Sequence, residues 1–170
     1  GSGPGTLIVE LCPRSPGMHW INADINPCFF AYFYRLAEKH GVAQQVSAIY
    51  ADAQDMPFRD NYADMVVSRG TYHFWPDRAA GFREIHRILK PGGAAYIGRG
   101  FPPNLPAETA RAIRDGQRNM WDYDVQAEAK ELARMLQDIG IRDYRIHTPQ
   151  PPGSEGIHYG VWVEFRKASH

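Results

Sequence analysis

Short apolar runs with strand character alternate along this chain with segments of helical period, and that alternation limits the folds open to it. A glycine-rich start, GSGPG, runs into a helical segment with Leu7, Ile8 and Leu11. Met18 to Ala23 reads as a strand ending at Asp24. Asn26 and Pro27 suit the N-cap and first position of a helix. Phe29, Tyr32, Phe33, Leu36 and Ala37 fall at the spacing of its buried face, and Gly41 closes it. Val46–Tyr50 and Ala63–Ser68 read as strands, the latter as a buried one. Asp77 is placed to cap a helix whose inward face is Phe82, Ile85, Ile88 and Leu89. Lys90-Pro91-Gly92-Gly93 stops that helix, and Ala94–Gly98 is a further buried strand. Helices are predicted over 107–119 and 125–139, the second facing inward through Leu132, Met135, Leu136 and Ile139. Tyr144–His147 and Tyr159–Phe165 form a last pair of strands with no helix between them. Helix–strand alternation predicts an α/β chain with a mostly parallel, doubly wound sheet. The closing pair allows an antiparallel final strand. Ligands of such sheets bind beyond the carboxyl ends of the strands. Chemistry is therefore expected at Gly1–Gly5, Asp24, Asp52 and Ser68–Trp75.

Composition narrows the function classes. The 170 residues carry no net charge, 44% hydrophobic and 22% charged residues, as an ordinary folded domain does. Zero net charge argues against nucleic acid as a partner. No apolar run nears the roughly 20 residues that cross a bilayer, and no signal peptide is visible. Two cysteines, Cys12 and Cys28, are too few for a disulfide framework, which suits a reducing, cytoplasmic setting. Both read as small buried apolar residues. The seven histidines show no metal-ligand spacing, so no metal is expected.

Gly1, Gly3 and Gly5 permit turns with positive φ and close approach of a ligand; a cloning remnant would leave a similar start. Asp24 follows Gly5 by nineteen residues and ends the next strand, where a carboxylate can accept both hydroxyls of a ribose. Asp52 ends the strand after that and can accept from an adenine amino group. Each aspartate also reads, taken alone, as a cap or a solvated loop acid. The dinucleotide fingerprint needs a third glycine where Thr6 stands, and no GK[ST] phosphate loop is present. A ligand with adenine and ribose but no pyrophosphate fits better.

GSGPGT at 1–6, ADIN at 23–26, YADAQDMPFRDNYADMVVSRG at 50–70 and FREIHRILKPGG at 82–93 resemble the class I S-adenosylmethionine-dependent methyltransferases, in their small-molecule, ubiquinone-biosynthesis-like branch. The resemblance covers roughly residues 1–100 and implies a Rossmann-like sheet in one S-adenosylmethionine-binding domain over 1–170. It implies S-adenosyl-L-methionine as cofactor, S-adenosyl-L-homocysteine as product, and in-line methyl transfer to a small-molecule acceptor. By the same likeness Gly1, Gly3 and Gly5 line the methionine and ribose part, Asp24 binds the ribose hydroxyls and Ile25 packs on the adenine. Asp52 meets the adenine amino group beside Ala53, and Ser68 and Arg69 lie near the methionine moiety and the acceptor. The family's first strand would precede Gly1, so a strand is expected upstream, with room there for a covering helix.

Such a displacement asks the protein to align nucleophile, methyl carbon and sulfur, and needs a base only for a protonated acceptor. His73 and Tyr72 are the candidates for catalysis or orientation; a packing role beside Trp75 is the plainer reading of His73. The faces of Tyr72 or Trp75 suit a sulfonium, although Trp75 also reads as a packed turn. Arg69 suits a carboxylate on cofactor or acceptor, or a surface ion pair. Arg99, Phe101 and the proline-rich loop either shape the acceptor pocket or merely cross over. Phe30 and Tyr34 would suit a second copy in a homodimer, or the upstream segment. A cofactor-binding module without catalysis and a nicotinamide-dependent oxidoreductase are the rival classes.

Overall fold

The computed structural model describes residues 1–116 and 124–169, which fall into two compact units, Gly1–Pro57 and Phe58–His170. Residues 117–119, the expected end of the 107–119 helix, lie outside the described residues.

In the first unit, Gly5 is the left-handed N-cap of α1 (Thr6–Leu11). Strand β1 (Trp20–Asp24) follows, then a short 3-10 turn over Pro27–Phe29 in which the Asn26 side chain accepts the Cys28 N–H at 3.1 Å. That turn runs into α2 (Phe30–Lys39), and β2 (Val46–Tyr50) returns parallel to β1 with Tyr50 opposite Asp24. A parallel pair requires such a crossover. The core joins Ile8, Val9 and Cys12 to Phe33 and Ala37 of α2 and to Val42 and Val46.

Two expectations are corrected here. The inward face of α2 is narrower than its aromatic spacing suggests: Phe33 and Ala37 are buried, whereas Phe29 and Tyr32 are exposed. Only the middle of the apolar stripe meets α1, and its edge faces water. Cys12 is buried as expected, but Cys28 is exposed because it sits in the 3-10 turn rather than on the helix's packed face. Tyr34 has a local partner, its hydroxyl accepting the Ala48 N–H at 2.9 Å.

The second unit holds a four-stranded sheet in the order β3-β4-β6-β5. Strands β3 (Ala63–Arg69) and β4 (Leu89–Arg99) are parallel and joined by α3 (Arg78–Ile88). Helices α4 (Ala107–Gly116) and α5 (Val125–Asp138) lead to β5 (Tyr144–His147), and β6 (Val161–Arg166) runs antiparallel to both of its neighbours. Alternation along β6 buries Val161, Val163 and Phe165, while α3 buries Phe82, Ile85 and Ile88 and α5 buries Leu132 and Leu136. The Lys90-Pro91-Gly92-Gly93 segment ends α3 but already belongs to β4, with a register shift opposite Ala63 and Met65. Among the described strands β3 stands last on one side of this sheet, and Met65 is exposed.

A satellite core of Phe101, Ala110, Ile157 and Tyr159 joins α4 to the proline-rich loop before β6. The Tyr159 hydroxyl donates to Leu105 O at 2.8 Å and Arg114 Nη1 donates to Gly156 O at 2.7 Å, so loop and helix form one packed piece. Among the described residues no helix is long and apolar enough to cross a membrane.

Candidate active site

The glycine turn of the first unit is fastened to the end of β1. Ser2 N donates to Ala23 O at 3.1 Å, and the Ser2 hydroxyl both accepts from Ala23 N and donates to Ala23 O at 3.2 Å. Gly3 N donates to Asp24 Oδ2 at 2.6 Å, and Asn26 N donates to Asp24 Oδ1 at 2.8 Å. A carboxylate offers about four acceptor sites. The backbone takes one on each oxygen of Asp24, which aims the group and leaves acceptor capacity for a pair of outside hydroxyls.

The two glycines in the turn differ. Gly3 has φ +55°, and nothing lies within 4 Å of where a Cβ would stand. Gly5 has φ +72°, and a Cβ there would meet the Phe33 ring at 2.1 Å. Gly5 is thus held by packing, whereas Gly3 leaves space that a ligand can enter.

Asp52 follows the end of β2, next to Asp24 at the end of β1, and Ala51 N donates to Asp24 O at 3.0 Å. The structure therefore brings Gly1, Gly3, Asp24 and Asp52 to one rim, that of the β1 and β2 carboxyl ends. Asp52 Oδ1 accepts the Gln54 N–H at 2.9 Å, and Gln54 Nε2 reaches the same carboxylate at 3.1 and 3.3 Å. It is thus a turn-former, as its plainer reading had it, and its remaining acceptor capacity is what an amino group would use. Ile25 is exposed beside Asp24, and Ala53 is half-buried beside Asp52.

In the second unit, Ser68 and Arg69 end β3. The Ser68 and Thr71 hydroxyls are hydrogen-bonded to each other, and Arg69 is exposed. Tyr72, His73 and Phe74 form a 3-10 turn just beyond. Tyr72 is fully buried, edge-on to Phe82, with the Arg78 guanidinium 5.6 Å from its ring centre. Trp75 packs edge-on to Phe82, as the packed-turn reading requires. His73 is half-buried, with its Nδ1 buried and without a hydrogen-bond partner among the described residues. Burial, then the charges of Arg99 and Arg78, hold its imidazole below the ordinary histidine pKa against the opposing pull of Glu128. A neutral imidazole is the form that accepts a proton.

Asn22 and Gln54, which did not stand out in the sequence, bond to Gly3 and to Asp52 respectively. Asn22 carries a visible signal, an amide two residues before Asp24 in an otherwise apolar strand, where both side chains share a face. Gln54 carries none, since a glutamine in a polar loop is unremarkable.

The family profile described as "Methyltransferase domain" matches residues 1–97. A 2-methyl-6-phytyl-1,4-hydroquinone methyltransferase of Spinacia oleracea is 49% identical over 110 residues, 64% of this chain and 29% of that protein. A protein of the same description from Oryza sativa subsp. japonica, numbered 2, is 40% identical over 158 residues, 92% of this chain and 42% of that one. The chain thus spans less than half the length of either relative. Among solved structures, a Methanococcus maripaludis protein described as an S-adenosyl-L-methionine-dependent methyltransferase superposes with a TM-score of 0.84 at 30% identity, covering 100% of this chain and 76% of that one. The profile spans more than half of the chain and ends within β4, so that it takes in the glycine turn, both aspartates and the His73 turn together. The chain belongs to the methyltransferase-domain family.

Proposed function

We propose that the chain is the S-adenosylmethionine-binding part of an enzyme that methylates a small-molecule acceptor, with quinol-type aromatics first to be tested. The observation that carries this reading is the glycine turn bonded to Asp24 at 2.6 Å, with Asp52 on the neighbouring strand end. S-adenosylmethionine, when bound, supplies an activated methyl group on a sulfonium. Asp24 would hold the ribose hydroxyls, Asp52 the adenine amino group beside Ile25 and Ala53, and the turn at Gly1 to Gly5 would line the remainder. Ser68 and Arg69 would lie on the methionine and acceptor side. His73, kept neutral by its surroundings, would take the proton of an acceptor that arrives protonated.

Relatives named for a hydroquinone substrate support the acceptor class. Those plant proteins are named chloroplastic, whereas the two cysteines of this chain suit a reducing, cytoplasmic setting.

Calorimetric titration with S-adenosylmethionine, S-adenosylhomocysteine and NAD tests the cofactor. The first two should bind and NAD should not. Asp24→Asn should weaken S-adenosylhomocysteine binding roughly tenfold or more, since hydrogen bonds to a charged group contribute about 1.5–3 kcal/mol. Transfer of labelled methyl to a substituted 1,4-hydroquinone then tests the enzyme. Binding without transfer to any small acceptor would favour the non-catalytic module.

A further inference from the structure

We infer that Asn22 is a positioning residue for the cofactor, acting through Gly3; this rests on the glycine turn being the cofactor site. Asn22 is wholly buried. Its Nδ2 donates to Gly3 O at 3.1 Å, while Asp24 accepts the Gly3 N–H at 2.6 Å. Asn22 and Asp24 stand two apart on β1 and share a face, so two side chains of one strand grip Gly3 from both ends. Fixing the peptide planes on either side of a residue fixes its φ and ψ. Gly3 is thereby held at φ +55°, and no neighbouring atom within 4 Å of its Cβ position does that work by crowding.

The amide carries a penalty at this place, because its Oδ1 is buried with no hydrogen-bond partner among the described residues. An unpaired buried acceptor disfavours folding. Leucine, with as many side-chain heavy atoms but a larger volume, would remove that penalty, but it would crowd the site and release Gly3 O. The residue thus suits the geometry of the turn better than it suits the stability of the strand. Loosening Gly3 would also loosen the partner of Asp24 Oδ2, and the carboxylate would lose part of its aim.

Asn22→Leu and the isosteric Asn22→Asp both remove the N–H donor. Each should weaken S-adenosylhomocysteine binding roughly tenfold by titration calorimetry, about the effect of one lost hydrogen bond at a preorganised site. In Asn22→Leu and Asn22→Asp the melting temperature should fall by no more than about a few degrees while binding falls roughly tenfold, a divergence that general loss of folded protein would not produce. The Gly3 amide should exchange with solvent faster in both variants, read by NMR, while the amides within α2 keep their protection. Wild-type binding with both variants within twofold of it would overturn the inference alone. Absence of wild-type binding would overturn the cofactor reading and the inference with it. Should Asn22→Leu fail to fold, Asn22→Asp carries the measurement, and failure of both would assign Asn22 to the fold and overturn the inference.

Discussion

At the scale of single residues, conformation and packing separate positions that look alike in the sequence. Gly3 and Gly5 are two residues apart, both with positive φ, yet only Gly5 lies against a ring, that of Phe33. Gly5→Ala should destabilise the protein by about 2–4 kcal/mol, combining left-handed strain with an overpacked core; urea unfolding measures it. Burial acts alike on His73 and His86. Burial first, then Arg99 and Arg78, lower the His73 pKa, and burial with Lys167 lowers that of His86. Their folded values lie below the unfolded one, about 6.5, so the unfolded chain takes up protons first as the pH falls. The stability these groups leave intact above pH ~6.5 is lost below it, until the lower folded values are passed. Denaturant unfolding at pH 7.5 and 5.5 should show the loss, and His73→Gln or His86→Gln should each make it smaller. Asp24 was legible as a site candidate because an acid ending a strand after a glycine turn is a spaced pattern. The burial of Tyr72 was not legible, because an aromatic residue in a short turn has the same appearance whether it lines a pocket or fills the core.

At the scale of elements, caps and periods were readable where local chemistry determines them. Asp77 accepts the Ala80 N–H at 2.8 Å and caps α3, as its place before an apolar helix suggests. Asp77→Ala should cost about 1 kcal/mol, measured by thermal or denaturant melting, with no change in the packing of Phe82. Burial of whole elements was less legible. The order β3-β4-β6-β5, with the last described strand inside the sheet, was not readable from the segments themselves. Sheet order follows from crossovers and late pairings, which no local period encodes. The aromatic stripe on α2 fails for a related reason: spacing defines which residues share a side of the helix, but the neighbour's width decides how many are covered.

At the scale of the molecule, the element order and the antiparallel close were legible from alternation, whereas the division into Gly1–Pro57 and Phe58–His170 was not. The chain shows no shift in composition at residue 57. A single cooperative domain predicts one calorimetric unfolding transition, raised by S-adenosylhomocysteine. At one hundred times its Kd the gain is about 2.7 kcal/mol, which corresponds to a rise of several degrees. Two transitions with only one raised would assign binding and folding to separate units.

The topology of the second unit also bears on its biosynthesis. Strand β6 is the latest of the described strands to leave the ribosome, yet it occupies an interior place between β4 and β5. Until residues 161–166 emerge, neither neighbour has its antiparallel partner, so the nascent polypeptide must wait with unsatisfied edges. Translation that halts before Val161 would release a species prone to strand-to-strand association rather than a shortened but sound protein.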